Sequence, residues 1–563
     1  MLNNMLTKIK DDFFAIGFFA VVAILLIWQM FLPGYVLSLD MIFTPKLKIL
    51  LPAGEFYNSL PLRWLLWLVN IVLPGWLIQK IIIFVLFFSA GFLAYRYLPV
   101  PKKNYAPIWA GLFYVVNPFV YERFLAGHWL LLLAYAILPI FIAWLLVFFE
   151  KPNWLNILKL VFCLLLIAVF SLHILTMAIM IFSVYSLYQV VNSFFEQRNK
   201  LGLRQARGIA LVIISLVIFS SYWLLPYLLT PTNFAINNFS QSNWEVFKTV
   251  GDKNLNPLVN VSALYGFWGE GQIWANYFLW PKANFSFWLA LYFSLVFLVV
   301  LGFYASLKNK NYQRTGFFAL VGLFSFIFAC GAGDTIFKNL NLWLFNQLWF
   351  WSGFRDSQKW SAWLVLSYAY FGSFGASYFI DYVKKVSKLP VKFFVIMVFL
   401  VPTLYTYTVW GGFARQLKPV WYPASWTLAN EILNQDQSDF KVLFLPWHQY
   451  LSFDFNQRLI IQNPAKDFFD KEIIQGENME IGSIYSQSDN QPVQAVENIL
   501  LSSQSQSSQE TLSQLAGQGI KYIIFTHDLD SLPGKNQYQP QASQDLAVIF
   551  NSKDLTIFEI MLR

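Results

Sequence analysis

Long apolar runs, separated by short gaps that hold almost all of the charge, make up most of this chain. Of its 563 residues, 57% are hydrophobic and only 12% are charged. A water-soluble domain cannot bury that much apolar surface, so most of the chain must lie in lipid. A helix needs roughly 17–25 apolar residues to cross a bilayer, and on this basis the sequence predicts about eleven membrane-spanning helices. The predicted spans cover 13–32, 74–97, 106–121, 129–149, 154–171, 172–195, 208–229, 287–307, 316–330, 360–380 and 392–410.

Basic residues recur in every second gap between these runs. The first run follows Lys8 and Lys10, and the later basic gaps contain Lys102 and Lys103, Lys151, Arg198 and Lys200, Lys308 and Lys310, and Lys384 and Lys385. Loops rich in Lys and Arg face the cytoplasm, which predicts a cytoplasmic N-terminus and places the residues after 410 outside. The first run has about 20 residues and no small-residue cleavage site follows it, so we interpret it as an uncleaved helix and not as a signal peptide.

The composition changes after Trp410, where the chain becomes polar. Four runs there have the length and residue types of strands, 441–445, 521–526, 546–550 and 555–560, and residues 493–515 have a helical pattern. We therefore predict two domains, a multi-span α-helical membrane domain over 1–410 and a small extracytoplasmic α/β domain over 411–563. The second domain lacks a glycine-rich phosphate loop and a nucleophile elbow in its sequence.

Composition also excludes several classes of function. The net charge is +9, but the basic residues lie in short loops beside apolar runs, which does not indicate nucleic-acid binding. Cys163 and Cys330 both lie inside apolar runs, which excludes a disulfide framework and a cysteine-based metal site. Only four histidines occur and they are scattered, so a His-rich metal site is not expected.

The other gaps, which we predict to face outward, contain the residues suited to chemistry. Asp40 follows the first span, where a carboxylate near the membrane surface is able to accept a proton from a hydroxyl group or to hold a divalent cation. The alternative is a solvated loop aspartate that caps a turn. Glu55 in the same gap is a weaker candidate, for which the structural role is favoured.

A second cluster runs from Asn117 to His128. Pro118 disfavours helix at Asn117, so the third span is expected to bend there. Glu122 and Arg123 follow, and an adjacent acid and base at this depth either form a salt bridge with each other or act on a substrate. His128 is a candidate acid, base or hydrogen-bond donor to a phosphate.

A third cluster, Arg355, Asp356 and Lys359, directly precedes the tenth predicted span. Two cations at a helix N-terminus oppose the helix dipole unless an anion binds there, which favours a phosphate or pyrophosphate site. Pairing of Asp356 with Arg355, or lipid-headgroup binding, remains an alternative. The full set of candidates is Asp40, Glu122 and His128 as catalytic residues, and Asn117, Arg123, Arg355, Asp356 and Lys359 as binding residues.

These three stretches, together with Leu445-Pro446-Trp447 in the polar tail, resemble the GT-C class of integral-membrane glycosyltransferases, in particular arabinofuranosyltransferase-like and YfhO-like membrane proteins. The resemblance implies transfer of a sugar from a polyprenyl-phosphate donor to a cell-envelope glycan, lipid or protein. It also implies that Asp40, the acidic residue of the first outer loop, is the base or a ligand of a divalent cation such as Mg²⁺ or Mn²⁺. The first loop has no clear Asp-x-Asp pair, which puts metal dependence in question.

Two other functions fit the sequence. A transporter of lipids or lipid-linked glycans would carry charged residues near the middle of its spans, where this chain has almost none apart from His173. A non-catalytic envelope-assembly protein would use its outer domain to bind a glycan or a partner. Substitution of Asp40 separates these alternatives from an enzyme.

Overall fold

The computed structural model describes residues 2–49, 56–229, 240–251, 255–272, 274–481, 484–486, 488, 490–503, 507–529 and 538–561, and Glu55 lies outside them. The helices up to residue 414 are α1 (Leu2–Ile27), α2 (Leu60–Asn70), α3 (Gly75–Tyr97), α4 (Ala106–Val115), α5 (Pro118–Leu125), α6 (Trp129–Glu150), α7 (Trp154–Phe170), α8 (Leu172–Phe195), α9 (Asn199–Leu229), α10 (Gln241–Val246), α11 (Pro257–Ser262), α12 (Leu279–Ala283), α13 (Phe285–Lys308), α14 (Tyr312–Ala329), α15 (Lys338–Gln347), α16 (Ser361–Val386), α17 (Val391–Tyr405) and the left-handed turn α18 (Trp410–Ala414).

The polytopic helical fold is confirmed, with a smaller number of strongly apolar spans than the sequence predicts. In the described part of the chain, seven helices are long and apolar enough to cross a membrane, or eight if α17 and the bent segment after it form one span. Each of the eleven predicted runs is nevertheless helical. The central helix α16 is mostly buried by its neighbours, so its Ser, Gly and Tyr side chains need not be compatible with lipid.

Two predicted breaks between helices are confirmed. α7 ends at Phe170 and α8 begins at Leu172, because the side chain of Ser171 accepts a hydrogen bond from the backbone N–H of Ile174 over 3.3 Å. The third predicted span is also broken, into α4 and α5, at Asn117-Pro118. All eight residues of α5 are buried, so this short helix lies inside the bundle and not at its rim.

The basic gaps meet at one end of the bundle. Lys103 forms a 2.6 Å ion pair with Asp381, and Asn104 bonds the same carboxylate. Arg314 pairs with Glu150 over 3.5 Å, which joins two further gaps of the basic series. The first of the other gaps, which carries Asp40, contacts the polar C-terminal region through Leu39 and Gln462.

Helices α13 and α16 pack backbone to backbone. A Cβ atom on Gly302 would lie 1.7 Å from the carbonyl oxygen of Phe371, and one on Gly375 would lie 1.9 Å from that of Leu298. Small residues allow such close approach in membrane bundles, where dispersion contacts replace the hydrophobic effect as the force between helices. This contact fixes α16, whose N-terminal end carries the third candidate cluster.

The C-terminal region forms an α/β layer structure whose sheet has the order β4-β1-β7-β9-β8. β1 is parallel to β4 and β7, while β9 is antiparallel to β7 and β8. Its elements are α19 (Ala424–Gln435), β1 (Lys441–Leu445), β2 (Tyr450–Ser452), β3 (Ile460–Gln462), α20 (Ala465–Phe468), β4 (Glu472–Ile474), β5 (Met479–Ile481), β6 (Ile484–Ser486), α21 (Gln491–Ser502), α22 (Ser508–Gly517), β7 (Ile520–Thr526), β8 (Leu546–Asn551) and β9 (Leu555–Ile560).

All four predicted strands are present. The single helix predicted over 493–515 is instead two helices, α21 and α22, and the short strands β2 to β6 were not predicted because three-residue strands carry too little periodicity. The hairpin of β2 and β3 touches the membrane domain directly. Gln462 N–H donates to the carbonyl of Leu39 over 2.8 Å, so the first outer loop adds to this hairpin like a further strand.

Candidate functional site

The loop that carries Asp40 is held against the end of α5 by backbone contacts. The backbone N–H of Asp40 donates to Ala126 O over 3.4 Å, and the hydroxyl of Ser38 donates to Leu125 O over 2.5 Å. Gly127 has a φ of 76°, and a Cβ atom there would lie 2.3 Å from both Met41 N and Ser38 O. Only glycine permits this approach, so Gly127 sets the position of Asp40 relative to His128.

The carboxylate of Asp40 is held by two side chains from distant parts of the chain. The hydroxyl of Tyr450 donates to Oδ1 over 2.7 Å, and His128 Nε2 lies 3.2 Å from Oδ2. The Asp40 side chain is still 38% exposed. A carboxylate that is oriented on one side and open to solvent on the other is able to accept a proton from a bound hydroxyl group.

The contacts of His128 determine which of its nitrogens carries the proton. Arg123 Nη1 lies 3.3 Å from Nδ1, and a guanidinium group only donates, so Nδ1 is the acceptor. In the neutral imidazole the proton is therefore on Nε2, which donates to Asp40. His128 thus links the Asp40 carboxylate to the buried charge pair behind it.

That buried pair is Arg123 with Asp356. The guanidinium group donates to both carboxylate oxygens, over 2.5 and 2.9 Å, and both side chains are at most 6% exposed. Burial by itself raises the pKa of Asp356, but the charges of Arg123 and Lys359 outweigh it and hold the pKa below the usual range. The sequence offered two other salt bridges as alternatives, Arg123 with Glu122 and Asp356 with Arg355. The pair in the structure, Arg123 with Asp356, is neither of these.

The two cations of the third cluster flank Asp356 in the chain, and Lys359 Nζ lies 3.9 Å from that carboxylate. The Arg355 guanidinium stacks on Phe247, 4.5 Å from the ring centre, and burial lowers its pKa to about 10. Burial also lowers the pKa of Lys359 to about 8, against the opposing effects of Asp356 and Asp40. Desolvated cations of this kind gain from an incoming anion, so the pair is suited to phosphate.

The cations precede α16 on two short 3₁₀ helices. Trp349–Phe354 and Ser357–Trp360 form these turns, and α16 begins at Ser361. Arg355 and Lys359 thus lie before α16 and not in its first turn, so they are not one helical turn apart on a single α-helix face as the sequence predicts. Gln358 anchors the segment, since its amide oxygen accepts from Trp268 N–H over 3.1 Å.

The structure gives Glu122 and Asn117 no direct contact with Asp40, Arg355 or Lys359 among the described contacts. Glu122 is 3% exposed and accepts a hydrogen bond from Phe267 N–H over 3.4 Å. Asn117 is fully buried, and its amide caps α5 through Val120 N–H and bonds the carbonyls at the end of α4. These contacts give both residues a role in the fold.

Two further side chains of the site, Tyr450 and His173, were not predicted as site residues from the sequence. Tyr450 lies in the C-terminal region, 410 residues from Asp40, and His173 lies at the start of α8. His173 Nε2 is 3.1 Å from Lys359 Nζ and 3.0 Å from Gly353 O. Only the polarity of His173 within an apolar run hinted at a contact, and nothing indicated which contact.

The residues around Asp40 do not fit a divalent cation held by the protein. The described part of the chain has no group of three His, Cys, Asp or Glu side chains arranged for a metal ion. Asp356, the nearest second carboxylate of the cluster, is neutralised by Arg123, and both oxygens of Asp40 have hydrogen-bonding partners. The described residues therefore offer one carboxylate, Asp40, to a divalent cation, and any further ligands would have to come from water or from a phosphate of the substrate.

The chain is a polytopic membrane protein whose fold is similar to that of a GT-C glycosyltransferase, as the sequence resemblance predicted. A solved structure that shares this fold is the cryo-EM structure of the arabinofuranosyltransferase AftD from Mycobacteria, with a TM-score of 0.59 and 13% identity, over 97% of this chain and 40% of that one. Two structures of a mutant of that protein match with TM-scores of 0.59 and 0.55 at 13% and 12% identity, each over 97% of this chain and 41% of theirs.

The likeness is one of fold. This chain spans about two fifths of the length of the AftD chains that it matches. No protein-family model and no curated protein sequence matches the chain.

Proposed function

We propose that this chain is a membrane glycosyltransferase that transfers a sugar from a polyprenyl-phosphate-linked donor to a glycan, lipid or protein acceptor of the cell envelope. One observation carries the proposal. Asp40, half-exposed and oriented by His128 and Tyr450, is joined through His128 and Arg123 to Asp356, the carboxylate that lies between the partly buried cations Arg355 and Lys359 in the chain. The shared fold with a structure titled as an arabinofuranosyltransferase supports the same class of reaction.

In this reaction Asp40 is the catalytic base. The acceptor hydroxyl attacks the anomeric carbon of the donor sugar, and its proton passes to a carboxylate oxygen of Asp40. The bond between the anomeric carbon and the phosphate oxygen breaks, and the electron pair of that bond leaves with the polyprenyl phosphate. The leaving phosphate gains negative charge, which the Arg355 and Lys359 cations stabilise.

The remaining side chains position these groups. Tyr450 and His128 each hold one oxygen of the Asp40 carboxylate, which fixes its direction toward the acceptor. The Arg123–Asp356 pair joins α5 to the segment before α16, so that the base and the phosphate-binding cations keep a constant separation. In this scheme Glu122 and Asn117 support the fold and do not contact the substrate.

In the membrane topology that fits this function, the site lies on the non-cytoplasmic face. The basic gaps meet at the opposite end of the bundle, which by the positive-inside rule is cytoplasmic, as is the N-terminus. Residues 1–410 then form the membrane domain of a multi-pass protein of the cell membrane, and residues 411–563 form an extracytoplasmic domain. This domain is placed to complete the site through Tyr450 and to receive an acceptor from the envelope.

The test is transfer of radiolabelled sugar from a panel of polyprenyl-phosphate donors by the purified protein in lipid. We expect turnover by the wild type and a loss of about 10²–10⁴-fold in kcat for Asp40→Asn, since an amide keeps the size of the side chain and one acceptor oxygen but accepts no proton. Asp381→Asn, at the other end of the bundle, is the control and should retain activity. Saturable lipid or glycan binding without turnover of any donor would contradict the proposal and favour a transporter or an assembly protein.

A further inference from the structure

His173 stands out among the described side chains of the membrane-spanning helices because it reaches two groups of the loop that carries the candidate phosphate-binding cations. It lies in the first turn of α8, and its ring packs edge-on against Phe354 at 5.9 Å. Its Nε2 atom is 3.1 Å from Lys359 Nζ and 3.0 Å from Gly353 O. A polar side chain in a membrane helix costs free energy unless it forms hydrogen bonds with other polar groups.

These two contacts make opposite demands on one nitrogen. The ammonium group of Lys359 only donates, so it requires a bare Nε2, whereas the carbonyl of Gly353 requires a protonated Nε2. When Lys359 is charged, Nε2 accepts from it and the imidazole proton is on Nδ1. The histidine is then the acceptor for one of the three N–H bonds of Lys359.

Among the described side chains, the second contact of the Lys359 ammonium group is with Asp356 and is weaker. Asp356 Oδ2 lies 3.9 Å from Nζ, within ion-pair range but beyond hydrogen-bonding distance, and this carboxylate already accepts two hydrogen bonds from Arg123. The Lys359 side chain is long and flexible, with a large rotamer entropy. The contact with His173 is therefore the short hydrogen bond that orients its ammonium group.

We propose that His173 is a positioning residue for lipid-phosphate binding, which holds the Lys359 ammonium in place so that it meets the phosphate of the polyprenyl donor. This inference rests on the proposed function. It extends that function to a residue inside the membrane-spanning part of the chain. His173 acts through Lys359 and touches neither the sugar nor the acceptor.

The experiment measures binding of sugar-free polyprenyl phosphate to the full-length protein in lipid nanodiscs, beside the transfer assay. We expect His173→Leu to weaken binding, and to raise KM for the donor, by about tenfold, which is 1.4 kcal/mol, and to lower kcat as well because Lys359 also stabilises the leaving phosphate. His173→Gln should restore binding to within about threefold, because its amide oxygen replaces Nε2 as an acceptor. Thr176→Val, one turn further on the same helix, is the control, since its hydroxyl bonds only Leu172 O among the described contacts.

A double-mutant cycle with Lys359→Met separates positioning from a general effect on the fold. We expect His173→Leu to have no further effect on binding once Lys359 is absent. An equal loss in both backgrounds, or no loss in the wild-type background, would overturn the inference while leaving the proposed function intact. If the wild type neither binds polyprenyl phosphate nor transfers a sugar, the proposed function fails together with the inference.

Discussion

At the scale of single residues, the site is a continuous series of polar contacts at one end of the bundle. It runs from Tyr450 through Asp40, His128, Arg123 and Asp356 to Lys359, with each neighbour within 4 Å of the next. Each of its two acids, Asp40 and Asp356, lies between hydrogen-bond donors or cations, so each buried charge is compensated by a neighbour and the desolvation cost is limited. Two of its members, the Asp40 carboxylate and the Lys359 ammonium, are groups that we propose act on the substrate.

Lys359 gives this site a dependence on pH. Its pKa of about 8 lies below its ordinary value of 10.5, because burial disfavours the ammonium form. As the pH rises through about 8 the folded protein loses this charge, while the phosphodiester of the donor stays anionic. We expect KM for the donor to rise by about tenfold per pH unit above that point, and kcat to fall as well because the same charge stabilises the leaving phosphate.

Steady-state transfer assays between pH 7 and pH 9.5 measure this effect. In Lys359→Arg the guanidinium remains charged throughout, so KM should stay flat. The same shift also affects stability, since the unfolded chain binds the lysine proton up to pH 10.5 and the folded chain only up to about 8. The resulting cost is fully present below pH 8 and disappears as the pH rises from 8 to 10.5. A wild-type KM that does not change over this range would refute the assignment of Lys359.

At the scale of elements, two features of the helices place the site. The break between α4 and α5 ends the third span inside the bundle, so that α5 directs Arg123 at the segment before α16. The close contact of α13 with α16 then fixes the other side of that ion pair. The sequence Asn117-Pro118 predicted the break between α4 and α5. The two glycines of the α13–α16 contact are among 28 glycines in the chain, and nothing in the sequence distinguished them from the others.

The α13–α16 contact predicts a large difference between two glycine substitutions. Gly302→Ala places a methyl group 1.7 Å from a backbone oxygen of α16, which forces the helices apart and should cost about 1–3 kcal/mol or more. Gly316→Ala in α14 meets nothing within 4 Å and should be neutral or stabilising by up to about 1 kcal/mol. Thermal unfolding in detergent tests this, and similar melting temperatures for the two variants would contradict the packing of α13 on α16.

At the scale of the whole molecule, the membrane bundle and the C-terminal region share one site. The first outer loop pairs with the β2–β3 hairpin through Leu39 and Gln462, and it also pairs with Val420 through Tyr35. Tyr450 then reaches Asp40 from the hairpin. The polar region is thus part of the site, and its contribution to activity can be measured without removing it.

Tyr450→Phe removes the hydrogen bond to Asp40 while keeping the ring. A hydrogen bond to a charged group contributes roughly 1.5–3 kcal/mol, so we expect kcat to fall by about tenfold or more. Tyr422→Phe is a matched control, because its hydroxyl donates to Phe43 O over 3.0 Å and tethers the same loop without touching Asp40. Equal activities of the two variants would show that Tyr450 acts only as a tether.

The sequence by itself determined that the chain is a polytopic helical membrane protein with a polar α/β tail, and it located the stretches around Asp40, Arg123 and Arg355. Span length, charge alternation and strand periodicity are local properties of the chain, so they can be read along one dimension. The pairing of those stretches is not local. Arg123 and Asp356 are 233 residues apart, Asp40 and Tyr450 are 410 apart, and His173 and Lys359 are 186 apart. Only the tertiary structure decided that Arg123 pairs with Asp356 and not with Glu122, and that His173 and Tyr450 join the site, because such contacts depend on how the helices and the sheet pack together.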